Sequence, residues 1–118
     1  MVVKEATVKS GDIELNVFTM GNAEDKPVVL VHGLRDSAKS LFPVGAELAK
    51  KYLVLIPDLR GHGASPRFSS YQMPDFLGDL HETITSLTQG SCALFGHSLG
   101  GHIASRYSAL FPETISCL

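Results

Sequence analysis

Apolar and polar positions alternate near the start of the chain. Ile13, Leu15 and Val17 are separated by Glu14 and Asn16, the period of a strand with one face covered. Residues 2–9 also read as a strand, and Ser10-Gly11-Asp12 between the two runs is turn chemistry. The pair predicts an antiparallel hairpin. After the polar loop GNAEDKP (21–27) the pattern changes. VVLVHG (28–33) is apolar up to His32, as in a strand covered on both faces. YLVLIPD (52–58), SCALFGH (91–97) and TISCL (114–118) repeat it and predict three more buried strands.

Between these runs the spacing becomes helical. Leu41, Val44, Leu48 and Ala49 predict a helix over 38–50, with Pro43 tolerated only in its first turn. Phe76, Leu77, Leu80, Ile84 and Leu87 predict a second over 74–88, and Leu99 to Phe111 a third, which Pro112 follows. Buried strands alternating with helices predict an α/β fold: a mostly parallel sheet, helices on both faces, an antiparallel hairpin at the N-terminal edge. LRGHGASPRFSSYQ (59–72) is a loop rich in glycine, serine and proline. Leu118 lies inside a predicted strand, so an incomplete sheet with an apolar edge is expected.

Composition narrows the picture further. The 118 residues suffice for one domain. A net charge of −2 without a basic block argues against nucleic acid or an anionic membrane as partner. MVVKEATVKSGDIEL has no apolar core of signal-peptide length, and no segment approaches the ~20 apolar residues of a membrane span. A cytoplasmic location is the default expectation. Cys92 and Cys117 lie in apolar runs and are expected to be reduced, buried thiols. No His or Cys pair has zinc-ligand spacing, and no metal or organic cofactor is implied.

Candidate chemistry gathers in GHSLG, Gly96 to Gly100. A serine on a very tight turn between a strand and a helix needs small residues two before and two after it. Such a turn pushes the Ser98 hydroxyl out above the sheet edge. It also sets the Leu99 N–H at a helix N-terminus, where developing negative charge is favoured. Gly101 and Ala104 suit close packing of that helix on the sheet. VHGLRD, Val31 to Asp36, ends the first parallel strand. Gly33 would permit a close approach there, and the Leu34 N–H is the candidate second donor of an oxyanion hole. The His32 side chain is expected to satisfy nearby backbone groups.

HGLRDS, PDLRGHGAS (57–65) and GHSLGG follow one another in order, each after a buried strand. Together they resemble the N-terminal half of an α/β-hydrolase, of the group carrying H-G, D-x-R-G-x-G-x-S and G-H-S-x-G-G. The resemblance covers nearly the whole chain. It implies that residues 1–118 hold strands 1–5 and the start of strand 6 of a single α/β-hydrolase domain, ending before the cap. It also implies a Ser–acid–His triad in that chain order. Ser98 maps onto the nucleophile, while the acid and histidine would follow later strands. His32, Gly33, Gly96, Gly100, Asp58 and Arg60 map onto supporting positions, with Asp58 bonded to the R-G-H-G loop and Arg60 paired with Asp58 or Asp36. None of His32, His62, His81, His97 and His102 is expected to serve as the base.

A serine nucleophile implies an acyl-enzyme, hence action on an ester, thioester, amide or activated C–C bond of a small-molecule substrate, or acyl transfer. An aspartate at position 98 would instead imply an alkyl-enzyme. The chain alone is expected to be inactive or weakly active. The alternatives are a non-catalytic product that binds or regulates, or one completed by a second chain. Self-association or pairing through the open sheet edge is the expected physical route.

Overall fold

The computed structural model describes residues 2–89 and 91–118. In chain order the elements are β1 (Val3–Ser10), β2 (Ile13–Met20), β3 (Pro27–Val31), α1 (Phe42–Leu48), β4 (Leu53–Pro57), α2 (Met73–Leu87), β5 (Cys92–Gly96), α3 (Leu99–Leu110) and β6 (Ile115–Cys117). The six strands form one sheet in the order β1-β2-β4-β3-β5-β6. β2 runs antiparallel to both β1 and β4. β4, β3, β5 and β6 run parallel.

The continuous apolar runs are explained by helices on both faces. Val17, Val29 and Leu55 face α2 and α3, where Phe76, Leu80, Ile84, Ile103, Ala104 and Tyr107 complete one core. Their neighbours Phe18, Leu30 and Ile56 point the other way, onto Ala38, Leu41 and Ala49 around α1. Each fully buried aliphatic side chain contributes roughly 1.5–3 kcal/mol.

Three details depart from the sequence-based expectation. Residues 38–41 form a separate 3-10 turn, and the α-helix begins at Phe42 with Pro43 in its first turn. Proline has no N–H and is accommodated where an α-helix starts, not inside it. β6 is an edge strand, and its residues are half-buried or exposed rather than buried. Cys117 is therefore exposed, whereas Cys92, paired on the inside of β5, is buried; both are free thiols. Burial pushes the Cys92 thiol up to about 11. Phe95 on β5 is 40% exposed, on the face opposite Leu94. Among the described residues, no helix is long and apolar enough to cross a membrane.

Candidate active site

The chain leaves the carboxyl ends of the neighbouring strands β3 and β5 in opposite directions, through α1 to β4 and through α3 to β6. Such a divergence in a parallel sheet opens a crevice suited to ligands. Val31 of β3 pairs with Gly96 of β5, so Gly33 and Ser98, each two residues further on, stand at the same level. The fit is close: a Cβ on Gly33 would lie 3.2 Å from the Ser98 Cβ.

Ser98 joins β5 to α3 with φ 58° and ψ −119°. A left-handed serine costs about 1–3 kcal/mol and persists only where surrounding packing enforces it. The packing is visible. A Cβ on Gly96 would overlap the Gly100 carbonyl, and one on Gly100 would overlap the Val31 carbonyl. Ser98 occupies the N-cap position of α3, yet its hydroxyl makes no capping bond. An ordinary cap serine spends its oxygen on the helix; this one is exposed and uncommitted at the rim of the crevice. Arg35 (φ 62°) is the other non-glycine residue with positive φ among those described. Both lie at this crevice.

Leu99 is the first residue of α3, so its N–H has no partner within the helix. Leu34 follows Gly33 and is 62% exposed. Leu34 thus lies one residue beyond the Gly33 backbone that approaches Ser98. His32 is fully buried. Its Nε2 accepts the Leu59 N–H at 3.0 Å, and its Nδ1 lies 2.7 Å from the Gly33 carbonyl oxygen. Those partners require a proton on Nδ1 and a lone pair on Nε2. Burial lowers the His32 pKa below its ordinary 6.5, against the opposing effect of the Gly33 carbonyl.

Asp58 directly follows β4 and is buried. Its carboxylate accepts the Ala38 N–H (2.8 Å), the Ala64 N–H (3.0 Å) and the Asn16 amide (3.3 Å). It thus ties the loops after β3 and β4 to β2. Ser65 reinforces the tie, donating to the Asp58 carbonyl at 2.7 Å and accepting the Asn16 N–H. Gly63 is obligatory here, since a Cβ would overlap the Asp58 carboxylate.

Arg60 pairs with neither Asp58 nor Asp36. Its Nε and Nη2 grip Asp79 of α2 at 2.7 and 2.8 Å, and its Nη1 donates to the Ser70 carbonyl. Asp58 is already held by three donors. Asp36 is exposed and accepts the Ser37 N–H and the Ser40 hydroxyl, which lower its pKa. Ser10 also donates to Asp79, at 2.6 Å. The Asp79 hydrogen bonds raise the pKa of Arg60, against burial. Asp79 was absent from the sequence-based candidates. Its signal is its place on the apolar stripe of α2, between Phe76 and Thr83: a charge on that stripe demands a buried partner.

Of the five histidines, three are engaged in structural contacts. Besides His32, His62 lies 2.9 Å from the Arg60 carbonyl, and His81 lies 3.0 Å from the Tyr107 hydroxyl and stacks on Phe111. His97 and His102 are exposed. A cleft of about 430 Å³ bounded by Lys26, Pro27, Leu53 and Leu87 lies at the amino ends of β3 and β4. It lies at the opposite end of the parallel strands from Ser98, away from the carboxyl ends where ligands bind in such sheets. Among the described residues, no group of three or more His, Cys, Asp or Glu is arranged to hold a metal ion.

Comparison with known proteins agrees with this architecture. The family model described as "alpha/beta hydrolase fold" matches residues 26–118. The chain is a member of the α/β-hydrolase family. It is 32% identical over 94 residues to an esterase of Escherichia coli, covering 80% of this chain and 37% of that protein. It is 33% identical over 97 residues to an sn-1-specific diacylglycerol lipase of Xenopus tropicalis, covering 80% and 30%. This α/β-hydrolase chain thus spans about a third of the length of these relatives. In structure it is similar to the thioesterase domain from the curacin biosynthetic pathway, with TM-score 0.93 and 28% identity over 98% of this chain and 44% of that one. An epoxide hydrolase of Vigna radiata is similar too, with TM-score 0.90 and 27% identity over 98% and 39%.

Proposed function

We propose that this α/β-hydrolase chain carries the nucleophilic half of a serine hydrolase acting through an acyl-enzyme at Ser98. The observation that carries the reading is the strained, exposed Ser98 whose hydroxyl is not spent on capping α3. In the reaction, Ser98 Oγ attacks the carbonyl carbon of an ester or related acyl group while a base takes its proton. The tetrahedral oxyanion accepts hydrogen bonds from the Leu34 and Leu99 N–H groups. The leaving alcohol or thiol departs with the proton. Water then attacks the Ser98 ester, and release of the carboxylic acid restores the hydroxyl.

The esterase, lipase and thioesterase relatives support an acyl substrate. The epoxide-hydrolase neighbour does not redirect the reading, since a serine at position 98 favours an acyl-enzyme over an alkyl-enzyme. The base and its acid are supplied by residues other than 1–118, either from more of the same polypeptide or from a second chain. The exposed Phe95 and the β6 edge are surfaces on which such residues could pack. The test is labelling by a fluorophosphonate. Ser98 should react in extract of cells that make the chain and remain unlabelled in purified 1–118. Efficient labelling of purified 1–118 would place the base within it, with His102 the first residue to replace. Absence of Ser98 labelling in both would overturn the nucleophile reading.

A further inference from the structure

The Gly33–Leu34 peptide has two ends with different partners. Its carbonyl oxygen lies 2.7 Å from His32 Nδ1 and also accepts the Asp36 N–H at 3.3 Å. Its N–H belongs to Leu34, the proposed oxyanion donor. The peptide is planar and trans, so the C=O and N–H point in opposite directions. A grip on one therefore aims the other.

We propose that His32 is a positioning residue that aims the Leu34 N–H at the oxyanion by holding the Gly33 carbonyl; the proposal rests on Ser98 being the nucleophile. The Leu59 N–H fixes the imidazole tautomer. It must donate into a lone pair on Nε2, which leaves the proton on Nδ1, facing Gly33. The bonds then run in one direction: Leu59 N–H to His32, His32 Nδ1–H to the Gly33 carbonyl, Leu34 N–H to the substrate oxygen. Donation to the carbonyl also polarises the peptide and strengthens its N–H as a donor. Complete burial of the ring prevents water from substituting for either partner. The geometry of β4's exit loop is thereby transmitted to the oxyanion site beside β5, without His32 touching substrate.

Two substitutions separate positioning from packing. In His32→Asn the side-chain amide N–H stands where Nδ1 stood, keeping the grip on Gly33 and losing the Leu59 acceptor. In His32→Gln the amide oxygen stands where Nε2 stood, keeping the Leu59 bond and losing the grip. Both lose ring packing. The second-order rate of Ser98 phosphonylation is measured in cell extract for wild type, both variants and Ser98→Ala, alongside thermal stability of each. The expected result is a fall of roughly tenfold to a hundredfold for His32→Gln, below the effect of deleting an oxyanion donor outright, with His32→Asn within about threefold of wild type. Equal falls, falls that track stability, or no fall would overturn the proposal. A second measurement needs no variant: a long-range imidazole ¹⁵N spectrum of the wild-type chain. A protonated Nδ1 and bare Nε2 at His32 are expected, and the reverse tautomer overturns the proposal. If wild type is not labelled, the Ser98 reading fails, and the spectrum still decides the tautomer on which the aiming depends.

Discussion

The guanidinium of Arg60 holds both carboxylate oxygens of Asp79, Nε to Oδ2 at 2.7 Å and Nη2 to Oδ1 at 2.8 Å, in a pair almost closed to solvent. It fastens the loop after β4 to α2, and Ser10 joins β1 to the same carboxylate. Removing one partner leaves the other charge buried alone. Asp79→Ala or Arg60→Ala should each cost about 3–5 kcal/mol. An apolar pair, Arg60→Met with Asp79→Leu, should recover most of that loss. Urea denaturation of the two single variants and the double variant gives the comparison. Equal, additive losses would show that the pair is not coupled.

Two glycines should respond in opposite ways to alanine. Gly100 faces the Val31 carbonyl so closely that a Cβ would overlap it, whereas a Cβ on Gly78 in α2 meets nothing within 4 Å. Gly78→Ala removes helix-opposing backbone freedom and should stabilise by about 0.8–1 kcal/mol. Gly100→Ala should destabilise by about 1–3 kcal/mol or more, because the α3–β3 contact must open. Shifts in urea midpoint at constant slope would verify both.

How far the fold was legible follows from where its determinants lie. Strands and helices rest on local periodicity, and VVLVHG or Phe76–Ile84 display it plainly. The tight turn at Ser98 is legible because Gly96 and Gly100 are the two positions where side chains would collide. The Asp79 partner of Arg60 is not local: it lies 19 residues on, whereas Asp58, the nearer motif acid, is occupied by backbone donors from other loops. Exposure of Cys117 escapes composition too, because an apolar residue in a strand is buried only if something covers that strand.

Stability should fall as the medium becomes mildly acid. Unfolded His32 gains a proton near its ordinary value of 6.5, while burial lowers the folded value. Between those values the unfolded chain binds more protons, so lowering pH favours unfolding. The contribution is full above 6.5 and is lost as pH falls toward the folded pKa. Asp36 and Asp75, whose hydrogen bonds lower their pKa, act in the same direction further down: their contribution is present above 3.8 and lost as pH falls through the folded values. Urea midpoints measured between pH 7.5 and 5 should decline in wild type more steeply than in His32→Asn. Parallel slopes would contradict the assignment to His32.

The two cysteines should differ in reactivity. The Cys92 thiol is buried and pushed up to about 11, and Cys117 is exposed. At pH 8 the folded chain should release one equivalent of chromophore from a disulfide thiol reagent promptly, and a second only in guanidinium. Cys117→Ser should abolish the prompt phase. Two prompt equivalents would mean that β5 is not covered as described.

The central claim is an acyl-enzyme at Ser98. Its most direct test is to incubate the polypeptide carrying residues 1–118, in extract of the cells that make it, with p-nitrophenyl acetate. The reaction is quenched in acid, and the acetylated peptides are mapped by mass spectrometry. The account predicts an acetyl ester on Ser98 that forms with the nitrophenolate burst and is absent from Ser98→Ala. Acetylation at another residue with Ser98 unmodified, or a burst unchanged in Ser98→Ala, would contradict it.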